Sequence, residues 1–244
     1  MSHIRPGGAG ALPARDFEEI RLAEALERRR CPLCDARQEA SFAALRGLAR
    51  EGATDRGLRA QMDKGLGFCQ PHSIGLSKME LLQTSSQLAT AVLLDAVLRR
   101  RLGTIEKMTR SDAGTQLKGL AELEAADCPV CNRVSEAEAA AGSRLLKLAA
   151  DPAWAAALGS AEICLDDLIA LWGLALAGGK DATSRWLPIL AEQRKRLGEL
   201  QTTLAEYAHN STSDRRHLIT PEQHAAGAAA IRFFSGSPDR DRER

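Results

Sequence analysis

Cysteine placement constrains this chain more than anything else in it. Cys31-Pro32-Leu33-Cys34 is answered downstream by Cys69-Gln70-Pro71-His72, and the arrangement recurs as Cys128-Pro129-Val130-Cys131 answered by Cys164-Leu165-Asp166-Asp167. All six cysteines of the 244 residues are used, three in each copy. Soft ligands at i and i+3, met by another such pair from a distant segment, enclose a tetrahedral ion because each pair spans one edge of the tetrahedron. The chain therefore reads as an all-α protein of two tandem homologous halves. Each half is organised by a Cys-rich metal site, and a C-terminal helix follows.

The expected boundaries are a disordered N-terminus at 1–15, a first repeat at 16–110, a second repeat with the final helix at 111–236, and a disordered tail at 237–244. Hydrophobic residues make up 44% of the chain but aromatics only 4%. An apolar set dominated by Ala and Leu packs as helices, whereas strands would draw on Val, Ile, Tyr and Phe. The net charge of +1 sets up no field that would gather nucleic acid or an anionic membrane. Arg28-Arg29-Arg30, Arg99-Arg100-Arg101 and Arg194-Lys195-Arg196 read as solvated helix faces and partners of helix C-termini.

The longest apolar run, Ile163 to Ala177, is broken by Asp166 and Asp167 and is too short to span a bilayer. The first fifteen residues lack the apolar stretch of a signal peptide. A cytoplasmic location is expected, where cysteines at C-x2-C spacing serve as ligands or redox thiols more often than as structural disulfides.

Acidic residues open a helix over 16–30 and arginines close it, with Ile20, Ala23 and Leu26 on one face. Pro32 suits the first turn of a second helix, whose buried stripe is Phe42, Leu45, Leu48 and Ala49. Thr54 can cap a short helix reaching Lys64. One long helical region is expected from the turn carrying His72 to Met108, with Leu88, Val92, Leu98, Leu102 and Ile105 recurring at helical steps. The stretch 109–114 is the expected boundary between halves.

In the second half, helices are expected from Pro129 to Ala150, over 153–158, from Asp166 to Ala177 and from Asp181 to Tyr207. Thr220-Pro221-Glu222-Gln223 marks the capping box of a last helix. Trp154, Trp172 and Trp186 are expected to fill the core of this half or a partner surface.

This pattern of C-P-x-C, helix, short helix and G-x-C-x-x-H, duplicated and closed by a helix ending near Phe-x-Gly, resembles an uncharacterised family of bacterial helical proteins built from two such halves. The resemblance runs from about Phe17 to Gly236. It implies the fold and the metal residues, and no activity. The family often carries His where this chain has Asp167.

Within each half the spacing suggests one site. Cys31, Cys34, Cys69 and His72 form a Cys3His set that leaves no coordination position open, as in structural zinc. Cys128, Cys131, Cys164 and Asp167 form a more negative set, with Asp166 as an alternative ligand, Asp127, Glu124 and Glu162 adding charge nearby, and a helix-cap role as the other reading of Asp167. His209 is a further possible ligand to the second set; otherwise His209, His217 and His224 read as surface residues.

Zinc is the first choice of cofactor. An iron–sulfur cluster is the alternative, and a cycling dithiol is weaker because a helix, not a strand, precedes each C-P-x-C. No nucleophile elbow, phosphate loop or H-E-x-x-H occurs. The functional expectation is a non-catalytic adaptor, subunit or assembly factor with a protein partner. An iron–sulfur redox subunit and a hydrolytic zinc centre at the second set are the competing classes.

Overall fold

A computed structural model describes residues 12–64, 67–110, 112–124, 127–212 and 214–236. It is all-helical, with no strand among the described residues. The helices are α1 (Phe17–Glu27), α2 (Pro32–Glu51), α3 (Arg56–Lys64), α4 (Gln70–Thr84), α5 (Leu88–Thr109), α6 (Ala113–Glu124), α7 (Pro129–Leu148), α8 (Pro152–Ser160), α9 (Leu165–Ala177), α10 (Lys180–Asn210) and α11 (Pro221–Ser235), with a 3-10 turn at Arg216–Leu218. None is long and apolar enough to cross a membrane.

The helix series repeats. α2, α3, α4 and α5 run 20, 9, 15 and 22 residues, and α7, α8, α9 and α10 run 20, 9, 13 and 31. The compact units, however, do not follow the expected boundary at 110. One unit takes residues through Ala36 together with those from Glu138 onward, and the other takes Arg37–Ala137. The chain crosses from unit 1 into unit 2 within α2 and returns within α7, so each 20-residue helix begins in one unit and ends in the other.

Unit 1 is built on Leu22, Leu26, Leu33, Leu145, Leu158, Ile163, Leu171 and Ile189 around the fully buried Trp154 and Trp186, with Trp172 packed at the edge. Gln193, also fully buried, donates from Nε2 to the carbonyls of Leu158, Gly159 and Ala161 at 2.7, 3.1 and 2.9 Å. It thereby satisfies the end of α8, whose last carbonyls have no helical partner. Replacing it, Gln193→Leu, leaves those carbonyls buried and unpaired. The expected loss is about 2–3 kcal/mol in chemical denaturation.

Unit 2 packs Leu45, Ala49, Met62, Leu76, Met79, Leu93, Ala96 and Val130. Its buried carboxylate, Glu80, accepts from the backbone N–H of Ala89 and Thr90 at 2.6 and 2.8 Å and so closes the start of α5.

Several local expectations change. The N-terminal segment packs from Leu12 onward: Leu12 lies against the unit 1 core, and the Pro13 carbonyl accepts from Trp154 Nε1. The remaining expectations for 1–11 and for 237–244 lie outside the described residues. In α1 the buried face holds Glu19 and Leu22 beside Ala23 and Leu26, while Ile20 is exposed, as Phe42 is in α2. Asp55, not Thr54, caps α3, its Oδ1 accepting from Leu58 N at 2.9 Å. The expected long helix after His72 breaks at Ser85, which takes a left-handed conformation (φ 55°). Thr84-Ser85-Ser86 supplies side chains that compete for backbone hydrogen bonds and favour a helix end. An additional helix, α6, follows in the expected boundary region, capped by Asp112. Asp151 caps α8, and the capping box at Thr220 forms as read from sequence.

Candidate metal centres

All eight residues singled out from the sequence fall into two clusters of four, but their pairing is exchanged. Cys31 and Cys34 meet Cys164 and Asp167, while Cys69 and His72 meet Cys128 and Cys131; within each cluster the candidate ligand atoms lie within 4.8 Å of one another. Both sets expected from within-half spacing are therefore corrected: each C-P-x-C closes with the downstream pair of the other half. Each cluster lies inside a single unit, the first in unit 1 and the second in unit 2.

The course of the chain accounts for the exchange. α2 carries the chain out of unit 1 before Cys69 is reached, so Cys31 and Cys34 belong to unit 1 and Cys69 and His72 to unit 2. α7 carries it back before Cys164 is reached, so Cys128 and Cys131 belong to unit 2 and Cys164 and Asp167 to unit 1.

Every candidate pair sits at a helix start. Cys69 and Cys164 are the N-cap residues of α4 and α9, neither making a side-chain cap bond. The carbonyls of Cys31 and Cys128 accept the first helical bonds of α2 and α7, from Asp35 and Asn132. Proline follows immediately in α2 and α7, where its missing N–H would have had no partner. The sulfurs are left free to turn inward, and the unpaired amides and macrodipole of each helix favour negative charge there.

In unit 1 all four groups are buried, Asp167 to 1% exposure. Cys31 Sγ donates to Asp167 Oδ2 at 2.9 Å, Cys34 Sγ lies 3.3 Å from the same oxygen, and the sulfurs of Cys34 and Cys164 are 3.7 Å apart. Asp166 is exposed, and Cys164, not Asp167, is the cap residue of α9. Glu162 pairs with Arg232 at 2.9 Å.

Bonds from Cys164 and Cys34, with burial and the Asp167 charge behind them, push the Cys31 thiol well above its ordinary range. The Cys31 bond draws Cys164 down, but Cys34 and burial outweigh it and the thiol stands at about 12. Four acidic groups held this close resist joint ionisation without a cation.

In unit 2 the imidazole Nδ1 of His72 lies 3.1, 3.3 and 3.5 Å from the sulfurs of Cys69, Cys131 and Cys128, and Cys69 and Cys131 are 3.6 Å apart. Only Cys128 is fully buried here; the other three are partly accessible. Burial raises Cys128, but the backbone N–H groups near Cys69, Cys131 and Val130 together leave it below the usual thiol value. Cys131, by contrast, is pushed up to about 12 by burial and by its bonds to Cys69 and Cys128.

Gly236 belongs to the unit 1 centre and was not anticipated as part of it. It ends α11 with φ 74°, and a side-chain carbon there would stand 2.8 Å from Cys34 Sγ and 3.9 Å from Cys164 Sγ. The Phe-x-Gly ending marks the position, but nothing in it points to the sulfurs. His209 lies against Arg215, outside both clusters, and His224 packs edge-on to Tyr207.

Both quartets could hold a metal ion. No family model matches this chain, and no curated protein or solved structure is significantly similar to it.

Proposed function

We propose that the protein is a cytoplasmic helical adaptor, subunit or assembly factor stapled by two structural zinc ions, one in each unit, without catalysis of its own. The observation that carries this reading is the closure of each quartet. Zinc bonds of about 2.3 Å to sulfur and about 2.05 Å to nitrogen give tetrahedral edges of about 3.8 Å between sulfurs and about 3.5 Å from sulfur to nitrogen. The sulfur pairs at 3.6 and 3.7 Å fit such edges, as do the longer of the His72 separations.

An iron–sulfur cluster interposes several iron and sulfide atoms between its ligands. Ligand atoms all within 4.8 Å of one another favour a single ion instead. A hydrolytic zinc needs a position open to water. With Asp167 turned onto Cys31 and Cys34 and all four groups buried, the geometry of the unit 1 site argues against that role. The resemblance to the bacterial two-half family is consistent with this reading and supplies no activity.

Elemental analysis of purified protein tests it. Two zinc ions per chain and a colourless solution are expected. Iron and sulfide in equal proportion, with visible absorption, would replace zinc by the cluster reading.

A further inference from the structure

The first half keeps an unusual apolar stripe on its surface. On α5, Leu88, Leu98, Leu102 and Ile105 are 62, 56, 49 and 44% exposed. With the exposed Ala91 and Asp95 they are spaced 3, 4, 3, 4 and 3 residues apart from 88 to 105. This is the a and d repeat of a helix that packs along another helix. Of the buried residues of α5, Ala89, Leu93 and Ala96 lie almost opposite on the helix, and Thr90 lies to one side of them. α6 also packs elsewhere, its Gly119 closing on Thr104 and Met108, so the stripe faces outward.

We propose that α5 is a homodimer interface, in which the stripe of one copy packs antiparallel on the same stripe of a second. The charges on this face identify the occupant. Asp95 holds the only charged position of the repeat, and Arg99 lies one turn on at 3.1 Å. Parallel in-register pairing would set Asp95 against Asp95 at the seam. An antiparallel pair, its two-fold axis falling between Asp95 and Leu98, sets Leu88 against Ile105, Ala91 against Leu102, and Asp95 beside Leu98 and Arg99 of the other copy. The surface is then complementary to itself, as an isologous two-fold contact requires. An acid in the middle of the stripe also suits a helix partner carrying arginine better than a lipid surface.

Sedimentation equilibrium of the metal-loaded full chain tests the proposal. Twice the chain mass of 26.3 kDa is expected across the micromolar range. The double variant Leu98→Glu with Leu102→Glu is expected to be monomeric with unchanged helicity, because both side chains are already exposed within the chain. Asp95→Arg and Arg99→Asp should each weaken the dimer roughly tenfold, and their combination should restore it. A monomeric wild-type chain, whether or not it binds anionic vesicles, would overturn the proposal. So would a dimer that survives the paired Glu substitutions.

Discussion

Chelation is expected to unfold this protein in two stages, unit 2 before unit 1. The ligand quartets are parts of the cores: Cys31, Cys34 and Cys164 belong to the unit 1 cluster with Leu33 and Trp154, and Cys128 belongs to that of unit 2 with Val130 and Leu76. Removing an ion forces the thiols to take up protons and leaves a close-set polar cluster in apolar surroundings without the bonds that held it together. Structural zinc contributes about 10–16 kcal/mol of apparent binding free energy in small domains, comparable to the about 5–15 kcal/mol that separates folded from unfolded chains. On the zinc reading, loss of the ion is therefore expected to remove most of the stability of the unit that holds it.

The order follows from access. Cys69, His72 and Cys131 are partly exposed, whereas all four groups of the unit 1 centre are buried and Gly236 closes on two of its sulfurs. A chelator reaches the first set more readily. The three tryptophans, Trp154, Trp172 and Trp186, all lie in unit 1, so their fluorescence reports that unit alone. Titration with a chelator should first lower helicity with tryptophan emission unchanged, and then lower both together. Loss of helicity and emission in one step would contradict the ordering, and full helicity after metal removal would contradict a structural role for the ions.

Most of the architecture was legible because its causes are local. Helix starts at Pro32, Pro129, Pro152 and Pro221 follow from proline's tolerance of the first turn, and the capping residues Asp151 and Thr220 act where the sequence places them. The clustering of the candidate ligands was legible for the same reason: i, i+3 pairs at helix starts present two side chains to one point. What could not be read was which pair meets which. The gaps from Cys34 to Cys69 and from Cys131 to Cys164 are nearly equal, so within-half and exchanged closures leave the same trace in sequence. The passage of the chain from one unit to the other within α2 and α7 decides between them, and that is a tertiary fact.

The faces misread at Ile20 and Phe42 have a related cause, and α5, whose stripe the sequence located without assigning it to core or surface, shows it most clearly. On α5 the recurring leucines mark an exposed stripe, and the core takes the smaller residues Ala89 and Ala96 with Leu93. Hydrophobic periodicity locates a face without saying what covers it. The break at Ser85 carried no glycine or proline, and Gly236 sits beside sulfurs more than 70 residues away, so neither announces its role locally.

Exchange of ligand pairs between the halves is the central claim, and metal content of paired cysteine substitutions tests it most directly. Each of Cys34→Ser, Cys69→Ser, Cys131→Ser and Cys164→Ser removes one ligand from one quartet and should leave one ion per chain. Cys34→Ser combined with Cys164→Ser strikes the same quartet twice and should also leave one, with the other unit still loaded. Cys34→Ser combined with Cys69→Ser strikes both quartets and should leave none. If this last variant keeps one ion while the Cys34 and Cys164 combination loses both, each half closes its own site and the exchanged architecture is wrong.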